Sequence, residues 1–205
     1  MGKTLKTTCK MCRREGVSLC GREKCALKRR SFPPGQHGPT QKSNKKLSGY
    51  GMQLREKQKA KRLYNIMERQ FRRYFDDARR KTGNTSEHLI RSLELRLDNT
   101  VYRLGFAKTR RQARQMVNHG FFSVNKKPVD IPSFAVKVGD EISVKESKRS
   151  KKMTEGVKEV MTRTTAPKWL FATPADLKGK VVSLPEGEDL QTVFDPTLIV
   201  ELYSR

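Results

Sequence analysis

The segment from Thr109 to Gly120, TRRQARQMVNHG, narrows most sharply what this chain can fold into. A helix turns about 100° per residue, so Arg110, Arg114, Asn118, Arg111 and Gln115 fall in that order across one arc. Ala113, Met116 and Val117 fall on the opposite side, so one face can pack into a core while the other stays outside. Thr109 is placed to cap the first turn, and Gly120 suits the left-handed residue that ends a helix. Guanidinium forks match phosphate oxygens bidentately, which makes the arc a candidate grip for a polyanion. A merely solvated basic face is the alternative that the pattern leaves open.

Charge supports the polyanion. The chain has 205 residues and a formal charge of +24. Self-repulsion on that scale implies a neutralising partner, nucleic acid first and a membrane surface second. No apolar run of about 20 residues exists to span a membrane. The charge is uneven. Residues 1–62 hold 18 Lys and Arg against 3 Asp and Glu, residues 63–163 hold 23 against 12, and residues 164–205 hold 4 against 6. The last stretch, at net −2, is expected to close the fold or meet a basic protein neighbour rather than grip RNA. Met1–Cys20 lacks the apolar centre of a secretory leader, so the cysteines are read in a reducing compartment.

Along the chain, residues 1–48 show no helical period, and Pro33-Pro34-Gly35 and Gly38-Pro39 oppose regular structure. They are read as an extended basic arm. Residues 49–82 are predicted helical with a break near Asn65. Asn84 followed by Glu87 marks a helix start, and Leu89, Leu93, Leu97, Val101 and Leu104 give one core helix or two abutting ones. Phe121–Val124, Val129–Ile131 and Glu141–Val144 are predicted strands, and Lys148–Arg163 a basic helix. A loop is expected to open at Pro167–Leu170, with Val181–Leu184 and Leu198–Leu202 extended. Trp169, Phe171, Leu198, Val200 and Tyr203 are expected to bury the C-terminal segment.

Cys9, Cys12, Cys20 and Cys25 lie within 17 residues as C-x2-C-x7-C-x4-C. A C-x2-C turn lets two thiolates converge on one ion, and a second pair completes a tetrahedron. The expected cofactor is one structural zinc ion, ahead of an iron–sulfur cluster, folding an arm that cannot build its own core. Four free thiols is the bland alternative.

The run Thr109, Arg110, Ala113, Arg114, Val117, Gly120 resembles the motif of the small RNA-binding module named after ribosomal small-subunit protein four, a helix pair followed by a compact sheet. Val124-Asn125-Lys126 stands where that module usually has Val-Asn-Gly. Lys tolerates positive φ poorly, so a longer or different turn is expected. Arg29-Arg30-Ser31-Phe32-Pro33-Pro34-Gly35-Gln36-His37-Gly38, the stretch Leu47–Gln58 and the closing Glu201–Arg205 extend the resemblance to the whole ribosomal protein four family, in its cysteine-bearing branch. Gly49 departs from the Asp that family members often have.

The resemblance implies an α+β protein: an N-terminal metal-knuckle arm (1–48), a helical domain (49–94), an inserted helix-pair-plus-sheet RNA-binding module with its following helix (95–163), and a C-terminal segment (164–205) packing back on the helical domain. It implies a structural constituent of the small ribosomal subunit, in the cytoplasm, and not an enzyme. Such a protein binds a junction in the 5′ domain of small-subunit ribosomal RNA, nucleates assembly there and contributes to translational accuracy. Implied neighbours are small-subunit proteins five and three, and messenger RNA where it enters. The motif carries the RNA grip to Arg110, Arg114, Gln115 and His119, beside the Arg111 and Asn118 of the arc. Weaker assignments fall on Arg30, Gln36, His37, Arg55, Lys57 and Lys61. His119 equally suits a helix-end cap.

Two rivals remain. RNA-modifying enzymes carry the same module but need a large catalytic domain, and no phosphate loop, H-E-x-x-H or nucleophile–base set is present. A sequence-tolerant DNA binder would use the same counterion release.

Overall fold

The computed structural model describes residues 7–40, 47–149, 151–190 and 192–204, with no account of the side chains of 151–153. The outermost arm residues 1–6, residues 41–46 and the closing Arg205 lie outside the described residues. The chain divides into two compact units, residues 1–90 with 192–205, and residues 91–191.

The first unit is helical. Helix α1 (Cys9–Glu15) interrupts the expected extended arm, ending at Gly16 in the left-handed conformation, φ 70°. Helices α2 (Gly49–Tyr64) and α3 (Glu68–Arg79) meet at the expected break, where Asn65 is left-handed, φ 54°. Asn84 begins α4 (Thr85–Glu94), its Oδ1 accepting from Ser86 N. The segment expected to be extended at Leu198–Leu202 is instead part of helix α8 (Pro196–Ser204). The Asp195 carboxylate accepts from Thr197 N at 2.8 Å, and Pro196 needs no N–H partner at the first turn. Ile199 is buried, and Tyr203 stacks on Phe75 at 4.8 Å between ring centroids. Gln53 of α2 donates to Glu201 at 2.8 Å, and Glu56 accepts from Asp195 N at 3.0 Å, so α8 is fastened along α2.

The second unit joins the end of α4, α5 (Leu97–Arg103), α6 (Arg110–Asn118) and α7 (Lys151–Arg163) to one antiparallel sheet. Its strands are β1 (Phe122–Val124), β2 (Lys127–Pro128), β3 (Glu141–Val144), β4 (Leu170–Thr173) and β5 (Lys178–Val181), in the order β2-β1-β3-β5-β4. The core runs through Leu97, Val101, Phe106, Phe122, Ile142, Trp169 and Val181. A Cβ on Gly179 would stand 2.5 Å from Leu104, so β5 reaches the end of α5 only because that position is bare.

Four expectations are corrected here. Asn125 and Lys126 both have positive φ, 50° and 66°, and Val124 pairs with Lys127, so the turn is a tight two-residue hairpin despite the lysine. Asn125 holds it by donating to Asp140 and accepting from Glu141 N. The second strand is Lys127–Pro128, not Val129–Ile131; residues 132–136 instead clasp the α4–α5 junction, Leu97 N bonding Phe134 O at 2.8 Å and Val136 N bonding Leu95 O at 2.9 Å. The loop expected at Pro167–Leu170 runs to Trp169, β4 starting at Leu170, and β5 pairs with β3, so β4 and β5 extend the module's sheet. Only 192–205 belong with the helical unit. Phe171, on that edge strand, is exposed rather than buried.

Candidate nucleic-acid interface and cysteine cluster

Helix α6 forms as its sequence dictates. The Thr109 hydroxyl accepts from Gln112 N, Gly120 is left-handed, and Ala113, Met116 and Val117 are buried. The opposite face divides in two. Arg111, Gln115, Asn118 and His119 are exposed. Arg110 and Arg114 are half-buried and held by the protein itself.

Arg110 donates to Asn99 Oδ1 at 2.8 Å and lies over the Tyr102 ring, 4.4 Å from its centroid. Asn99 in turn donates to Glu94 Oε2, and Glu94, fully buried, receives Arg103 through two bonds of 2.9 Å. Arg114 reaches Asp98 at 3.7 Å, and Asp98 is already gripped by buried Arg96 at 2.9 and 3.1 Å. These buried carboxylates fix where the arginine stems leave the surface. Rigid cations lose less entropy on meeting an anion than free ones. Glu94, Asp98 and Asn99 were not singled out from sequence. Their only sequence signal is a polar cluster, E-L-R-L-D-N, inside an apolar helical stripe. The ring of His119 makes no hydrogen bond among the described residues, so it does not cap carbonyls; its backbone N–H does, bonding Gln115 O.

The arm and first-helix candidates separate likewise. Arg30, Gln36 and His37 are exposed. Arg55 pairs with Glu15 at 3.4 Å, and Arg62 pairs with the same carboxylate. Lys57 and Lys61 both bond Glu68, which also accepts from the Tyr203 hydroxyl at 2.7 Å. Partial burial opposes the Glu68 charge, but the Lys61, Tyr203 and Lys57 hydrogen bonds outweigh it and hold its pKa at about 2. Burial and the adjacent Glu68 push the Tyr203 hydroxyl upward. Arg13 donates to Phe32 O and Pro33 O and covers the Phe32 ring at 4.7 Å.

The sulfur atoms of Cys9, Cys20 and Cys25 all lie within 4.8 Å of one another. Cys12, fully buried, is hydrogen-bonded to Cys20. Burial drives the Cys12 thiol up to about 12. Cys25 is also opposed by burial, yet hydrogen bonds from the Leu27 backbone and from Cys20, Ser18 and Cys12 bring it to about 7. Zinc bonds of about 2.3 Å would set four sulfurs roughly 3.8 Å apart. Three of the sulfurs therefore lie near that spacing, while Cys12, outside the group, would have to move in for all four to close on one ion.

The second unit thus carries a basic helix braced by buried acids, suited to a polyanion, and the first unit carries the cysteine cluster. Residues 3–94 match the ribosomal protein S4/S9 N-terminal domain, and residues 95–142 match the S4 domain. Over the full length of both chains, the sequence is 51% identical to small ribosomal subunit protein uS4 of Acetivibrio thermocellus. It is 50% identical to that of Caldicellulosiruptor saccharolyticus and 48% identical to that of Koribacter versatilis, again over both full lengths. The chain belongs to the uS4 family of small ribosomal subunit proteins. These relatives are ribosomal proteins and not enzymes, and the chain is not an enzyme. Among the described residues no helix is long and apolar enough to cross a membrane.

Proposed function

We propose that the chain is a structural constituent of the small ribosomal subunit in the cytoplasm, binding small-subunit ribosomal RNA through the exposed side of α6. Identity of about half the residues with uS4 proteins over the whole length carries this reading. Arg111, Gln115, Asn118 and His119 make the outer contacts, and Arg110 and Arg114 supply field from fixed positions behind them. Arg30, Gln36 and His37 extend the contact along the arm. Arg55, Lys57 and Lys61 contribute less, since each already faces a carboxylate. By likeness to its family the protein nucleates the 5′ domain, meets proteins five and three and the path where messenger RNA enters, and affects accuracy. Cys9, Cys12, Cys20 and Cys25 hold one structural zinc ion. Four thiolates close its coordination, so its work is to fold the knuckle.

The test is a titration of the full chain against a structured junction RNA and a duplex DNA of equal length, at several salt concentrations. The RNA is expected to bind tighter at every salt, and the protein to stay with small subunits through a high-salt wash. Equal affinity for the DNA, or release in the wash, overturns the reading.

A further inference from the structure

Between α6 and α7 lies a cavity of about 580 Å³. Met116, Phe121 and Val157 give it an apolar floor, and Gln112, Gln115 and His119 form one polar wall. The two glutamines and the histidine sit at helical steps on the flank of α6 next to the basic arc, and Gln115 belongs to both. Among the described residues no carboxylate lines the cavity, whereas Lys108 does. Lys148 stands over the Phe121 ring, 5.4 Å from its centroid. Gln112 Oε1 accepts from Lys108 N at 3.0 Å, which fixes that amide plane. Gly156 of α7 leaves open space, since a Cβ there would meet nothing within 4 Å.

This combination of an aromatic floor, amides and an imidazole on one wall, and cations at the rim suits an unstacked nucleobase. Bases in loops and bulges are bound by stacking on aromatic rings and hydrogen bonding along their edges. Glutamine amides present a donor and an acceptor together, as base edges require. We infer that the cavity takes one extruded base of a bulged RNA, stacked on Phe121 and read by Gln115 and His119, while Lys108 and Arg111 hold the flanking phosphates. The inference rests on the RNA-binding reading above and adds a subsite for unpaired bases.

The probe is a hairpin RNA carrying a single 2-aminopurine bulge, compared with the same hairpin fully paired. The full-length protein is expected to bind the bulged hairpin about tenfold tighter, from one stacked base, and to quench its fluorescence. Gly156→Phe fills the cavity without changing charge and improves helix propensity. It is expected to bring bulged-hairpin affinity down to that of the paired hairpin while the melting temperature holds. Gln115→Ala, which cannot disturb the buried side of α6, should lose about half of that preference on a logarithmic scale. Equal wild-type affinity for both hairpins, or an undiminished preference in Gly156→Phe, overturns the subsite, and an apolar protein segment becomes the better occupant. Failure of both hairpins to outcompete duplex DNA overturns the RNA reading itself.

Discussion

Helices α2 and α6 are both basic in sequence, but their charges face different partners. On α2, Arg55, Lys57, Lys61 and Arg62 turn toward Glu15 of α1 and Glu68 of α3. Their carboxylates are used up in holding helices of the same unit together. On α6 the acids lie behind the helix, in Glu94 and Asp98, and Arg111 is left outside. Cations facing acids across their own surface are structural glue; cations backed by buried acids are presented. Sequence counts both kinds equally, which is why net charge overstates the RNA-binding surface.

The strongest way to break the contrast is to release α1. Helix α1 carries Cys9 at its start, Cys12 at its middle and Glu15 at its end. Structural zinc in small knuckles supplies on the order of 10 kcal/mol of apparent folding energy. Cys25→Ala should abolish the bound metal in native mass spectrometry. Hydrogen exchange should then rise across 9–38 and around Arg55 and Arg62, with the second unit unchanged. Full metal content in the variant would remove the cluster from the argument.

On the α6 side the matching test is Glu94→Ala. Glu94 is fully buried with Arg103 and Asn99 on its oxygens, and removing the carboxylate is expected to cost about 2–3 kcal/mol, because buried hydrogen-bonding groups lose a charged partner. Urea denaturation followed through Trp169, in the same unit, reads the loss. A change under about 1 kcal/mol would mean that α6 is held by Ala113, Met116 and Val117 alone.

How much of this was legible is clearest at α6 and α8. The caps and buried side of α6 follow from local chemistry, so Thr109 and Gly120 mark it without tertiary knowledge. Helix α8 does not. Leu198, Ile199 and Val200 form a strand-like run, and what makes them helical is Asp195 at the start and contacts to Gln53, Phe71 and Phe75, more than 120 residues away. The β3–β5 pairing is likewise long-range, and nothing local in Lys178–Val181 names its partner. The exposed half of the α6 arc was readable. The separation of Arg110 and Arg114 from Arg111 was not, since it depends on acids brought in by α4 and α5.

Glu68 sharpens the α2 side through pH. Its folded pKa of about 2 lies below the ordinary 4.5, so its contribution is fully present above pH 4.5 and is lost as pH falls toward 2. Nearly half its side chain is exposed, which screens the pairs, and about 1–2 kcal/mol is expected rather than the full shift. Glu68→Gln should flatten the acid limb of the stability curve of the first unit. An unchanged limb would mean that the lysine pairs are idle.

The direct comparison uses RNA. Arg111→Ala should weaken junction RNA binding about tenfold and make the salt slope shallower by about one. Lys61→Ala should leave affinity within about twofold and cost only about 0.5–1 kcal/mol of stability. Equal losses would erase the distinction between the two helices. Arg114→Ala is the poorer probe, since it also strips a partner from buried Asp98.

The smallest effect lies at the β1–β2 hairpin of the same unit as α6. Lys126 sits at φ 66° in a two-residue turn whose two positions both need the left-handed region. A side chain there costs about 1 kcal/mol, because its Cβ crowds the backbone; glycine removes the crowding but gains freedom in the unfolded chain. The balance for Lys126→Gly should be a gain of about 0.5–1 kcal/mol, or roughly 2–4 °C in melting temperature. Lys126→Ala keeps the Cβ and drops the charge, so it should gain nothing. If both variants shift the melt equally, the cause is charge among the neighbouring lysines and not backbone strain. Asn125→Ala should go the other way, because the Asn125 side chain ties the turn to both Asp140 and Glu141. Opposite signs at two adjacent left-handed residues would show that the turn is kept by its asparagine and only tolerates its lysine.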